Sequence, residues 1–208
     1  MPDLSRSDVD TVLVTRGSGG AAEAERMLTR LERLPWPREL VSFTVLVGTD
    51  GSAVLGYLQC AGPLDSGFVA DVTGSVAAEY RVYRSLSRAD RPVPGCVVVV
   101  DVEFDGPDAQ RQRRWIDTVL NAVAAEPEPH PGGISGHFHV STDGARVLNY
   151  AEWTDEDSHR DALAGSGRGM VGSGPAWRAV QEFPGVRSGG FTRYRLLRTV
   201  VGEQITEE

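Results

Sequence analysis

The residue types best suited to chemistry in this chain gather late in the sequence, around a short strand-like segment, Asn149-Tyr150-Ala151-Glu152-Trp153. Alternation along a strand puts Asn149, Ala151 and Trp153 on one face, with Tyr150 and Glu152 on the other. That first face offers an amide and an indole N–H, two donors able to bind an oxygen atom. A buried tryptophan beside an asparagine satisfied by backbone would give the same pattern. His159 follows on a helix and shares its inward face with Ala162 and Leu163 at the i, i+3, i+4 spacing. A neutral imidazole there is a candidate general base near pH 7, and an exposed helix residue is the other reading. His137 and His139 lie two apart, on one face of the preceding strand. Without a matching carboxylate or third ligand in register they predict no metal site; His139 is kept as a substrate contact, and a place at the sheet interface between the copies is the other reading. Beyond the helix a glycine-rich stretch, Gly165 to Gly174, leads to Trp177, Arg178 and Phe183. With Arg168 these are candidates to line or cover a pocket, in a segment that reads as a lid or a mobile loop.

The elements that must hold these groups come from a repeat. Leu40–Cys60 aligns with Gly133–Trp153 at a constant offset of 93, with eight identities in 21 positions, among them Thr49-Asp50-Gly51 against Thr142-Asp143-Gly144 and Tyr57 against Tyr150. The shared Thr-Asp-Gly between two strand-like runs is a hairpin signature. Tyr80-Arg81-Val82-Tyr83-Arg84 is echoed by Tyr194-Arg195-Leu196-Leu197-Arg198 at an offset of 114, so the second copy is 21 residues longer between the echoes. Each copy opens with a strand, around Val12-Leu13-Val14 and over Cys96 to Phe104. A helix follows with one apolar face, Met27, Leu28, Leu31 and Leu34 in the first copy and Trp115, Ile116, Val119, Leu120 and Val123 in the second. Pro35-Trp36-Pro37 and the proline-rich 127–131 stop these helices.

The order β-α-β-β-α-β is the ferredoxin-like split unit, an α+β arrangement whose sheet has one face bare of helices. Two copies, 8–88 and 95–202 joined by a linker at 87–95, can press their bare faces together as an intrachain pseudo-dimer, sheet to sheet. In the second copy Thr154 is a candidate cap and Asp157 a candidate capping-box residue for a helix over 154–164. The first copy offers only Ala61 to Gly67 there and is expected to have lost much of that helix, remaining as a structural partner. Where the second copy has Asn149, Ala151 and Trp153, the first has Gly56, Leu58 and Cys60.

Composition narrows the function classes. The formal net charge is −8 and the 21 basic residues, all arginine, are dispersed, which argues against nucleic acid. Without lysine no Schiff base can form. Cys60 and Cys96 sit in apolar runs and read as buried, reduced thiols. No apolar run has the length of a spanning helix and the N-terminus lacks a secretory pattern, so a cytoplasmic protein with no membrane partner is expected.

The run from His137 through Asn149-Tyr150-Ala151-Glu152-Trp153 and into the following helix resembles the antibiotic biosynthesis monooxygenase family. The likeness is good over 133–164, weaker over the rest of the second copy, and topological in the first. It implies a dimeric α+β barrel, here in tandem-repeat form, and oxidation of aromatic polyketides with no metal, flavin or haem cofactor. The substrate-holding roles of the family's Asn and Trp fall on Asn149 and Trp153. A tyrosine common in the helix of those oxygenases has its nearest counterpart here in His159, a departure that bears on mechanism. The expected partners are a small aromatic substrate and O₂, with a further homodimer left open. Three alternatives share the fold: a polyketide cyclase, a small-molecule binding protein, and a haem-degrading oxygenase with His159 as axial ligand. In the last, His159 stands closer in sequence to Trp153 than such an enzyme would require.

Overall fold

The computed structural model describes residues 1–128, 130–166, 171–172 and 174–202; Arg168 lies outside them. The chain divides into two compact units, one of residues 1–81 with 194 onward, the other of residues 82–193.

The first unit contains β1 (Thr11–Ser18), α1 (Gly20–Leu31), β2 (Leu40–Gly48), β3 (Ala53–Cys60), α2 (Ser66–Thr73), the opening of β4 (Ala78–Ser87) and the end of β8 (Val186–Val201). Its strands run antiparallel in the order β4-β1-β3-β2-β8. The apolar stripe of α1, Ala24, Met27, Leu28 and Leu31, packs with Val69 and Val72 of α2 on Leu40, Phe43, Val45, Val54, Leu58 and Cys60. Each side chain fully buried in such a cluster contributes about 1.5–3 kcal/mol. The second helix of this copy is thus present, eight residues long, capped by Asp65 accepting from the Phe68 N–H and closed by Gly74 in the left-handed region. Its sequence, Ser-Gly-Phe-Val-Ala-Asp-Val-Thr, is apolar on most sides, which hid the helical period.

The second unit holds β5 (Cys96–Phe104), α3 (Ala109–Ala124), β6 (Gly133–Ser141), β7 (Arg146–Trp153), α4 (Glu156–Ser166) and α5 (Ala176–Gln181), flanked by the remaining parts of β4 and β8. Strand β7 pairs antiparallel with β5 on one side and β6 on the other. Beside them β8 neighbours β5, and β4 neighbours β6. Helix α3 starts at Asp108, whose carboxylate accepts from the Gln110 and Arg111 N–H groups. It buries Trp115, Ile116 and Val119 against Val102, Phe104, Phe138 and Val147, with Trp177 and Val180 of α5 in the same cluster. A smaller cluster, Cys96, Val98, Trp153 and Ala162, lies under α4.

The two Thr-Asp-Gly turns are built alike. The Gly51 N–H bonds the Gly48 carbonyl at 2.9 Å and the Gly144 N–H the Ser141 carbonyl at 3.1 Å. Both glycines have positive φ, 78° and 77°. Each hairpin tip also anchors the helix start of its own unit: Gly19 and Gly20 donate to the Ser52 carbonyl, and Asp108 to that of Gly144. Gly20, at φ 53°, passes so close that a Cβ there would collide with the Gly51 carbonyl. Both cysteines are buried, as their apolar settings imply. No helix among the described residues is long and apolar enough to cross a membrane.

Candidate active site

The antiparallel registers decide which side chains meet. Asn149, Ala151 and Trp153 of β7 stand opposite Val100, Val98 and Cys96 of β5, and Phe138 and Gly136 of β6 stand opposite Asn149 and Ala151. All therefore share one face of the sheet, the face that α3 and α4 cover. Most of that face is sealed. Val100, Asn149 and Ala151 are half-buried, and they form a strip between the cluster under α4 and the cluster under α3. Within the strip the Asn149 Oδ1 is itself buried and has no hydrogen-bond partner among the described residues. Gly136 leaves room beside it, since a Cβ built there would lie 3.4 Å from that oxygen and 3.6 Å from the Phe138 ring.

Helix α4 brings in the next groups. Asp155, the residue before the helix, accepts from the Ser158 N–H at 2.7 Å and so caps it; the expected cap, Thr154, instead hydrogen-bonds the Ser158 hydroxyl. The Ser158 N–H holds the Asp155 carboxyl below the usual carboxylate range. One turn into α4, His159 points inward, 3% exposed, and meets the Trp153 ring edge-on with centroids 4.9 Å apart. Its other side meets Phe191 of β8 at 5.1 Å, again edge-on, while His130 lies 5.6 Å from Trp153. Arg193, two residues along β8, donates from Nε to the His159 Nδ1 at 2.9 Å and sets its guanidinium 5.0 Å from the Phe191 ring. Burial first, then the charges of Arg193 and His130, push the His159 pKa down to about 4.

Four of the sequence-derived site residues, Asn149, Trp153, His159 and Leu163, thus lie on β7 and α4. Leu163 is half-buried beside Ala162. The other three are placed elsewhere. His139 is on the opposite face of the sheet, in register with Leu148. It is fully buried, with Nδ1 3.3 Å from the Leu148 carbonyl, which fixes the proton on that nitrogen. Strand parity separates it from Asn149. Trp177 is buried against α3, its Nε1 donating to Glu126 Oε1 at 2.8 Å, with the Gly174 N–H on the same oxygen at 3.0 Å. Trp177 therefore braces α5 on α3, and Arg178 beside it is exposed. Phe183 packs half-buried against the α3 cluster. Among the described residues no group of three or more His, Cys, Asp or Glu could hold a metal ion.

Sequence reasoning missed Phe191 and Arg193, which stand on β8 just before the Tyr194–Arg198 echo, outside any motif, on a strand that is mostly exposed. It also missed Gly136, although the offset of 93 pairs it with Phe43. In the first unit Phe43 packs against Gly56, and Thr15, Gly56 and Leu58 are all sealed. Their counterparts in the second unit, Val100, Asn149 and Ala151, remain partly open.

No protein-family model matches the chain. Among curated proteins it is 35% identical over 69 residues to tetracenomycin-F1 monooxygenase of Streptomyces glaucescens, a match over 33% of this chain and 60% of the relative's length. Among solved structures, an anthrone oxidase-like protein superposes with a TM-score of 0.69 at 15% identity, covering 96% of this chain and 95% of its own. A ferredoxin-fold protein related to antibiotic biosynthesis monooxygenases, from Listeria monocytogenes 4b F2365, gives 0.56 at 16% identity, over 95% and 99% of the two chains. The fold is that of the ferredoxin-like α+β proteins. The partial sequence match adds a likeness to one monooxygenase over a third of this chain, spanning less than two thirds of that relative's length.

Proposed function

We propose that the protein is a cofactor-independent monooxygenase of a polycyclic aromatic phenol or anthrone, acting on a polyketide-like compound of secondary metabolism. The observation that carries this reading is the buried, unpartnered Asn149 Oδ1 in a half-open strip beside Trp153 and His159. A buried acceptor left without a partner costs about 1–3 kcal/mol, so its retention points to a ligand that supplies the missing bond. The names of the relatives, tetracenomycin-F1 monooxygenase and anthrone oxidase-like protein, support the same substrate class.

The chemistry asks little of the protein. A deprotonated anthrone is electron-rich enough to reduce O₂; the carbon–oxygen bond that forms gives a hydroperoxide, and loss of water leaves a quinone. One oxygen atom ends in the quinone and the other in water, with all four electrons from the substrate. The protein excludes water, holds the ring, and places donors where negative charge develops on oxygen. Asn149 accepts from a substrate hydroxyl through Oδ1 and donates through its amide nitrogen; Trp153 supplies an aromatic wall and an N–H.

In the same proposal the repeats 8–88 and 95–202 form an intrachain pseudo-dimer of the dimeric α+β barrel type, in the cytoplasm, with the first repeat structural. The test is oxygen uptake by purified, metal-free protein against a panel of anthrones and naphthols. Uptake that falls roughly 10²-fold in Asn149→Ala and Trp153→Phe, each still folded, supports the assignment. Full uptake in both variants overturns it. Turnover without uptake means a cyclase, and tight binding without turnover a carrier.

A further inference from the structure

We infer that Arg193 is a positioning residue that fixes His159 as the neutral imidazole protonated on Nε2, so that the ring meets substrate as a hydrogen-bond donor and not as a base. The inference deepens the oxygenase reading and rests on it for the identity of the substrate oxygen. The tautomer follows from one contact. The guanidinium is always charged and can only donate, so the His159 Nδ1 that receives its Nε–H at 2.9 Å carries no proton. In the neutral ring the proton is then on Nε2.

A catalytic base histidine is ordinarily oriented the other way round. A carboxylate accepts from one ring nitrogen, which keeps the second nitrogen basic and stabilises the imidazolium as it forms. Here an arginine occupies the carboxylate's place, and both effects change sign. Among the described residues no carboxylate is bonded to the ring. The charged or titratable groups that act on it are Arg193 from β8 and His130 from the segment before β6, and both disfavour its protonation. The ring is also held in orientation, with Trp153 edge-on at 4.9 Å on one side and Phe191 edge-on at 5.1 Å on the other. Arg193 is steadied in turn by the Phe191 ring, 5.0 Å from its guanidinium carbon. A neutral Nε2–H held this way suits a quinone carbonyl or a phenolate oxygen, where negative charge collects during oxidation.

The test reads the imidazole directly and needs no substrate. Long-range ¹H–¹⁵N spectra of the full-length protein are expected to show His159 as the Nε2–H tautomer, unchanged from pH 7 to about pH 5. In Arg193→Met the ring is expected to mix tautomers and to titrate closer to the ordinary histidine range. An Nδ1–H tautomer in the wild type, or an unchanged titration in Arg193→Met, overturns the inference whatever the protein's activity proves to be. With a turned-over substrate in hand, Arg193→Met lowers kcat roughly tenfold with little change in KM.

Discussion

Among the described residues, Asn149 is the one polar side chain on the helix-covered face of the second unit whose buried oxygen lacks a partner. Thr15 of the first unit also has an orphaned hydroxyl, but Gly56 and Phe43 around it are fully buried. The difference is access, and access separates a packing defect from a binding group. Replacing an unsatisfied buried acceptor by an apolar group relieves its desolvation cost. Asn149→Ala is therefore expected to hold or raise stability, by up to about 1 kcal/mol, while it cuts turnover. A urea melt read beside the activity assay checks both; a variant that loses stability would show the amide to be structural. At this scale the sequence displayed Asn149, Trp153 and His159, because strand alternation and helix spacing are local. His139 was misplaced by the same kind of argument. Parity along β6 says which residues share a face with His137, and only the pairing of β6 with β7 says that this face is not Asn149's. The partner of His159 was illegible, since Arg193 lies 34 residues away and just outside the Tyr194–Arg198 echo.

Among the elements, α4 and β7 carry the site, and each invites a substitution. Asp155→Ala removes the cap that holds the Ser158 N–H and should lower stability, with a larger loss in ligand affinity than at a distant cap such as Asp65. Equal effects on affinity from the two would detach α4 from binding. Ala151→Leu restores the side chain that the first unit carries at Leu58 and should close the half-open strip from its floor. We expect a folded variant with uptake reduced by at least roughly tenfold; full activity would place the site elsewhere. The strands, hairpins and first helices of both copies were readable because their apolar periods and Thr-Asp-Gly turns are strong. Helix α2 was underestimated, since a short helix that is apolar on most sides shows no period. Trp177 was drawn toward the pocket by its place in the extra segment of the second copy, whereas Glu126, 51 residues earlier and just past α3, holds its indole N–H.

For the whole molecule, histidine burial sets the response to acid. Burial is the first cause lowering His137, His139 and His159 from the ordinary 6.5 to about 4. Between those values the unfolded chain binds protons that the folded chain does not, so stability is complete above about pH 6.5 and falls as pH drops toward 4. The lowered carboxyls of Asp108, Asp143 and Asp155 act only at lower pH, below their ordinary 3.8. Urea midpoints at pH 7 and pH 5 should therefore differ, with the lower at pH 5; equal midpoints would mean that these histidines protonate within the fold. At this scale the sequence displayed an internal echo, eight identities in order at one offset of 93. The same offset pairs Phe43 with Gly136, an exchange that stayed opaque because its meaning depends on what each side chain packs against. Oxidation of an aromatic substrate by O₂ in the second unit, at Asn149, Trp153 and His159, is tested most directly by supplying ¹⁸O₂ to the metal-free protein with an anthrone that it turns over. One labelled atom is expected in the quinone product, with formation lost in Trp153→Phe; label arriving from water, or unchanged labelling in that variant, would contradict the assignment.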